Sequence, residues 1–185
     1  MSDTNGVRLA GKKTGWCHWT TPTSVLDVVM QVGPIALDPC SNEHSLVVSP
    51  HKFDYEGLTN SWFEKCQNQG LAFVNPPYNN VKAFVKKCVL EGLGGTEIIL
   101  LVAARMDTKW SHACLDSADA MCFWEGRIKF GNPPPESAGN APSIPSVFYY
   151  WGQNRRLFMN RFMHYGFCVD LRDQRAKRPS FPVSE

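Results

Sequence analysis

The sequence predicts an α/β domain, an open and mostly parallel sheet with helices on both faces. Three observations predict it. Helix-period and strand-like apolar segments alternate along the chain. Two short apolar runs stop at polar, proline-bearing turns, Asp38-Pro39 and Asn75-Pro76-Pro77-Tyr78. Residues 97–103 are a nearly unbroken apolar run, the pattern of a strand covered on both faces at the centre of a parallel sheet.

The elements follow in order. Residues 23–32 place Val25, Val28, Val29 and Val32 on one helical face, with Thr23 or Ser24 as the expected cap. Residues 35–37 read as a short strand ending at Asp38, and residues 71–74 as another ending at Asn75. Residues 81–90 read as a helix, with Val81, Phe84, Val85, Cys88 and Val89 on one face and Lys82, Lys86 and Lys87 opposite. The glycine-rich residues 92–95 stop it. After the strand at 97–103 come a helix at 109–117, strands at 120–124 and 146–151, an amphipathic helix at 154–164 and a last strand at 167–171. Residues 131–145 hold five prolines and predict one long irregular loop, a kind that in compact domains is usually functional or mobile.

The 185 residues suit a single domain. We expect a flexible segment at 1–13, a body at 14–171 and a loosely ordered basic tail at 172–185. A content of 43% hydrophobic and 19% charged residues excludes wholesale disorder, collagen and coiled coil. No apolar run is long enough to span a membrane, and the first residues lack the apolar core of a signal peptide. The net charge of +2 is unevenly placed. Residues 14–150 carry nine basic and thirteen acidic residues, whereas residues 151–185 carry seven basic and three acidic. A basic end on a mildly acidic body suits a polyanionic partner and equally a solvated helix face. The seven cysteines are odd in number, and no two have the spacing of a zinc site or redox pair. Free thiols in a reducing cytoplasm, and no metal, are the expectation.

The turn after residues 71–74 carries the chemistry. Pro76 and Pro77 fix two successive φ angles and remove two N–H donors. The carbonyls of Asn75 and Pro76 then have no competing donor beside them, and the Asn75 amide oxygen adds a further acceptor. Paired acceptors are what a planar exocyclic amine needs. They draw its two hydrogens out of the ring plane, and its nitrogen lone pair becomes nucleophilic. Tyr78 offers a flat face on which an extracted base can stack, worth roughly 1–3 kcal/mol. A proline turn with Tyr78 in the core is the plainer alternative. In open α/β sheets, however, ligands bind beyond the carboxyl ends of the strands, where both Asp38 and Asn75 stand.

Asn75-Pro76-Pro77-Tyr78 resembles the catalytic motif of S-adenosylmethionine-dependent amino-methyltransferases. Thr20-Thr21-Pro22 resembles the segment that contacts the methionine end of the cofactor in adenine-N6 enzymes, and Leu37-Asp38-Pro39-Cys40 resembles their first cofactor motif. With Gly126-Arg127-Ile128-Lys129-Phe130, the ordered set is similar to the small phage-type DNA N6-adenine methyltransferases over residues 19–151. The resemblance implies a Rossmann-like class I methyltransferase fold, S-adenosylmethionine as cofactor, double-stranded DNA as partner and, for a phage gene, the bacterial host cytoplasm. It implies that Asn75 and Pro76 hold the target amine and that Pro77 stiffens the turn beneath Tyr78, which stacks on the flipped adenine. It places Thr20, Thr21, Pro22, Asp38, Pro39 and Cys40 on the cofactor, with Glu56, or less favourably Asp54, near the cofactor's adenine. Phe130 would be a second aromatic face of the base pocket. Arg105, Lys109, Arg127 and Lys129 are the candidate phosphate contacts, ahead of Arg155, Arg156 and Arg161.

Two features depart from the wider pattern. No Gly-x-Gly follows the first strand, so side chains must supply more of the cofactor contact; Glu43 is one candidate for the ribose. Only 36 residues separate Asp38 from Asn75, which leaves no separate target-recognition region. Short or relaxed specificity, read by residues 131–145 and a hairpin at 126–130, is the expectation. A protein glutamine amide or RNA base as acceptor, and an inactive nucleic-acid-binding module, stay open at this point.

Overall fold

The computed structural model describes residues 19–53, 56–131 and 145–177. Asp54, residues 1–13, residues 132–144 of the proline-rich loop and residues 178–185 of the tail lie outside them. Among the described residues, seven strands form one sheet. They are β1 (Ile35–Asp38), β2 (His51–Lys52), β3 (Leu71–Val74), β4 (Ile98–Ala103), β5 (Ala120–Trp124), β6 (Ser146–Trp151) and β7 (Gly166–Asp170). The helices are α1 (Thr23–Met30), α2 (Phe63–Cys66), α3 (Val81–Leu93), α4 (Lys109–Ser117), α5 (Arg155–Phe162) and α6 (Leu171–Lys177). The order across the sheet is β2-β1-β3-β4-β6-β5-β7. The pairs from β2 to β4 are parallel, and those from β4 to β7 antiparallel. Strands β6 and β7 thus run against the other five, and the α/β class expected from the alternation is the one found.

The apolar runs follow from burial on both faces. Along β4, Ile98, Leu100 and Val102 face one core, and Ile99 and Leu101 face the other. β6 alternates in the same way, with Val147, Tyr149 and Trp151 against Phe148 and Tyr150. Phe84, Val85 and Cys88 of α3 and Cys114 of α4 cover the first face; Val25, Leu26, Val28 and Val29 of α1 and Phe158 and Phe162 of α5 cover the second. The buried tyrosines keep their hydroxyls satisfied: Tyr149 pairs with Ser111 at 2.8 Å, and Tyr150 donates to Glu97 and accepts from the Asn154 N–H at 2.9 Å. The six described cysteines are free, and Cys66, Cys88, Cys114 and Cys122 pack as small hydrophobes.

Several local expectations are corrected. Pro22 occupies the N-cap of α1, and no side chain of Thr23 or Ser24 caps it. Its fixed φ suits that boundary, and its carbonyl accepts from the Val25 and Leu26 N–H groups. The tail from Arg172 does not start out loose, because β7 runs directly into α6. Arg172 pairs with Asp119, and Arg175 donates to the carbonyls of Leu115 and Ala118. Residues 127–130 are extended coil rather than a hairpin of their own; the hairpin is β5–β6, joined by residues 125–145.

Topology positions the site. From β1 the chain moves outward to the edge strand β2; from β3 it moves through α3 to β4 on the other side. The connections therefore diverge between the carboxyl ends of β1 and β3, which opens a crevice there. A short helix and a 3-10 turn (Glu56–Leu58), both unforeseen in the sequence, brace one wall. Glu91 accepts from the N–H groups of Trp62 and Phe63 at the start of α2 and pairs with Lys87 at 2.6 Å. Buried Trp62 donates to the Gly57 carbonyl at 2.6 Å, which presses Gly57 against the Pro39 backbone. A Cβ at Gly57 would collide with the Pro39 carbonyl, whereas one at Gly33 would meet only Leu71 Cδ2 at ordinary contact, 3.6 Å. In urea denaturation, Gly57→Ala is expected to lose about 1–3 kcal/mol through overpacking. Gly33→Ala is expected to stay within about 0.5 kcal/mol of the wild type. Equal effects of the two would contradict this packing.

Candidate active site at the ends of two parallel strands

Asp38 ends β1 and is only 4% exposed. Its carboxylate accepts from the Cys40 N–H at 3.1 Å and from the Ser45 hydroxyl at 2.8 Å. Its carbonyl accepts from the Phe53 N–H at 2.9 Å, and the Ser41 N–H donates to the Phe53 carbonyl at 3.0 Å. The chain thus closes a small loop over the end of β1, with Asp38 as its hub. Burial raises the Asp38 carboxyl above its ordinary range, although the bonds from Ser45 and Cys40 favour the anion. Burial also pushes the Cys40 thiol up.

Asn75 follows β3 directly, and its Nδ2 donates to Thr21 Oγ1 at 3.0 Å. Among the described residues, Asn75 Oδ1 and the carbonyl oxygens of Asn75 and Pro76 accept no hydrogen bond. Asn75 lines one cleft together with Trp19, Thr20, Thr21, Asp38, Cys40, Asn42, Ser45, Val47 and Phe73. Five of the sequence-derived site residues, Thr20, Thr21, Asp38, Cys40 and Asn75, therefore meet there although their positions in the chain are far apart. Trp19, Asn42, Ser45, Val47 and Phe73 were not foreseen. Ser45 and Val47 lie in an irregular segment after β1 that carries no local motif, and Phe73 reads simply as core.

The other candidates lie around this cleft. Pro22 sits at the start of α1, and buried Pro39 lies beneath Gly57. Pro76 is buried and Pro77 half-buried. Tyr78 opens a 3-10 turn, is 44% exposed, and accepts a hydrogen bond from Arg105 at 3.3 Å. Glu56 is exposed, and its carboxylate is bonded by Asn60. Glu43 is exposed and pairs with His44. Lys109 stands exposed at the start of α4, and Arg127 and Lys129 are exposed on the β5–β6 connection. Phe130 packs against the core on the α1 face. Arg155 is engaged with Asp170 at 2.9 Å. The β5–β6 connection reaches the cleft through an antiparallel bridge between Gly131 and Thr20.

Among the described residues, the buried Nε1 of Trp19 has no hydrogen-bond partner. A buried indole N–H without an acceptor is costly. The hydroxyl-bearing Thr20, Thr21 and Ser45, the Asp38 carboxylate and the Asn75 amide give the cleft a lining of both donors and acceptors. Such a lining fits a zwitterionic, hydroxyl-bearing cofactor. Among the described residues, no group of three or more His, Cys, Asp or Glu is placed to hold a metal ion, and no helix is long and apolar enough to cross a membrane.

A crevice at the switch point of an α/β sheet, with an acid at the end of one strand and an Asn-Pro-Pro-Tyr turn at the end of the next, is compatible with a Rossmann-like methyltransferase fold. The chain belongs to the DNA N-6-adenine-methyltransferase (Dam) family, whose model matches residues 11–173. No curated protein and no solved structure gives a significant match.

The buried carboxyl of Asp38 supplies a test of its own. The folded chain binds the Asp38 proton more tightly than the unfolded chain. The resulting penalty is absent below the ordinary carboxylate range and grows as pH rises through the raised value. Asp38→Asn should therefore gain stability relative to wild type in urea denaturation as pH rises from the ordinary carboxylate range. A relative loss over that rise would show that the Ser45 and Cys40 bonds, not burial, dominate.

Proposed function

We propose that this chain transfers a methyl group from S-adenosylmethionine to the N6 amine of an adenine flipped out of duplex DNA, with short or relaxed sequence specificity. The observation that carries this proposal is Asn75: it lines the same cleft as Asp38, and its Oδ1, its carbonyl and that of Pro76 are free of partners among the described residues. Membership of the DNA N-6-adenine-methyltransferase family supports DNA over RNA or protein as the acceptor.

In this proposal Trp19, Thr20, Thr21, Pro22, Asp38, Pro39 and Cys40 form the cofactor wall, with Glu56 at its rim. The cofactor, when bound, supplies an activated methyl group together with its own leaving group. The chain's residues are left to orient the amine, exclude water and stabilise charge on the nitrogen. Asn75 Oδ1 and the Pro76 carbonyl accept the two amine hydrogens, and Pro77 keeps the turn stiff. Tyr78 stacks on the base, which repays part of the few kcal/mol needed to extract it from the duplex. Arg105 at the Tyr78 hydroxyl, with Lys109, Arg127 and Lys129, holds phosphates beside the flipped nucleotide. No histidine is required as a base.

The test is mass analysis of nucleosides and peptides after incubation with labelled S-adenosylmethionine and DNA, RNA or protein. N6-methyladenine in DNA, spread over many sequence contexts, is the expected product. Label in RNA or protein alone, or a strict site of six or more base pairs, would overturn the corresponding part of the proposal. Asn75→Ala should lower turnover by at least about a hundredfold, on the scale of losing preorganised transition-state contacts, with cofactor affinity by calorimetry nearly unchanged. Tyr78→Ala should weaken base engagement by about 1–3 kcal/mol without unfolding the protein.

A further inference from the structure

The Asn75 side-chain amide is held by Thr21: its Nδ2 donates to Thr21 Oγ1 at 3.0 Å. Thr21 is itself rigidly mounted. It is only 5% exposed. The residue before it, Thr20, is locked to Gly131 by two backbone hydrogen bonds, of 3.0 and 2.9 Å. The residue after it is Pro22, at the N-cap of α1, and a following proline confines Thr21 to extended backbone. The backbone that carries the hydroxyl is thus tied on both sides of Thr21, at the wall of the cleft.

A side-chain amide has two faces of opposite polarity, and the chain must choose between them. A threonine hydroxyl can accept from Nδ2 or donate to Oδ1. Only the first arrangement leaves Oδ1 for an incoming amine, and it is the one this structure adopts. The second would turn two N–H donors toward the amine and repel it. We propose that Thr21 is a positioning residue: its hydroxyl accepts from Asn75 Nδ2 and keeps Asn75 Oδ1 turned to the acceptor amine. This goes beyond a contact with the cofactor's methionine end and rests on the reading of Asn75 as the amine-binding group. It also gives the β5–β6 connection, through Gly131 and Thr20, a mechanical link to the amide.

Thr21→Val keeps shape and methyl packing but removes the hydroxyl; Thr21→Ser keeps the hydroxyl. The Asn75 side-chain NH2 signals are assigned in a nitrogen-proton correlation spectrum by their loss in Asn75→Ala. The accepting hydroxyl predicts that Thr21→Val shifts these signals and speeds their exchange with solvent, and that Thr21→Ser restores both. In methyl transfer to DNA, Thr21→Val should lower kcat by about tenfold, with the cofactor KM changed by less than about threefold, and Thr21→Ser should recover to within about twofold of wild type. Unchanged NH2 signals in Thr21→Val would overturn the hydrogen bond whatever the activity. A raised cofactor KM with unchanged kcat would reduce Thr21 to a cofactor contact and overturn its positioning role. Wild-type turnover by Asn75→Ala would overturn the reading of the site itself, a result distinct from both.

Discussion

The parallel pairing of β1 with β3, through Ile35 with Leu71 and Leu37 with Ala72, is the constraint on which the site depends. It sets Asp38 and Asn75 side by side, although the chain between them must travel out to β2 and back through α2. The connections leave the two strands in opposite directions. The crevice is thus a consequence of strand order. The sheet pairing also explains the nearly unbroken apolar strands: each residue that fixes the register is covered on one face or the other by a helix.

Around this crevice the backbone is held by close approach and by side chains rather than by a glycine-rich turn. Gly57 lies against Pro39, and Trp62 holds Gly57 there from the core. Asp38 closes its own loop by accepting from Cys40 and Ser45. A buried carboxylate of this kind is expensive, and its burial holds the Asp38 carboxyl above the ordinary range. Asn75 is treated in the opposite way. Its Nδ2 donates to Thr21 while, among the described residues, its acceptor oxygens are left open.

The alternation of elements was legible because helix and strand periods are local properties of the chain, and most element boundaries lie within a few residues of their expected places. α2, β2 and the 3-10 turn at Glu56–Leu58 were not. They are too short to show a period, and they exist because Glu91, Trp62 and the β1 edge capture them. The α1 cap was misplaced for a related reason: Thr23 and Ser24 have the right chemistry, but Pro22 has the fixed φ and takes the position. The basic tail looked free because its charges read as solvated, yet Asp119 and two carbonyls of the α4 end receive Arg172 and Arg175.

For the site, the sequence by itself determined the stiffness and chemistry of the Asn75–Tyr78 turn, since two adjacent prolines act through covalent geometry and need no neighbours. It also marked Asp38 and Asn75 as strand-end residues. Only the tertiary structure decided that Trp19, Asn42 and Ser45 join them, that the amide of Asn75 faces as it does, and that Phe130 rests on the core. The physical reason is range. Ring closure and periodicity are written into neighbouring residues, whereas the partner of a hydrogen bond across 54 positions, as between Thr21 and Asn75, exists only once the strands have paired.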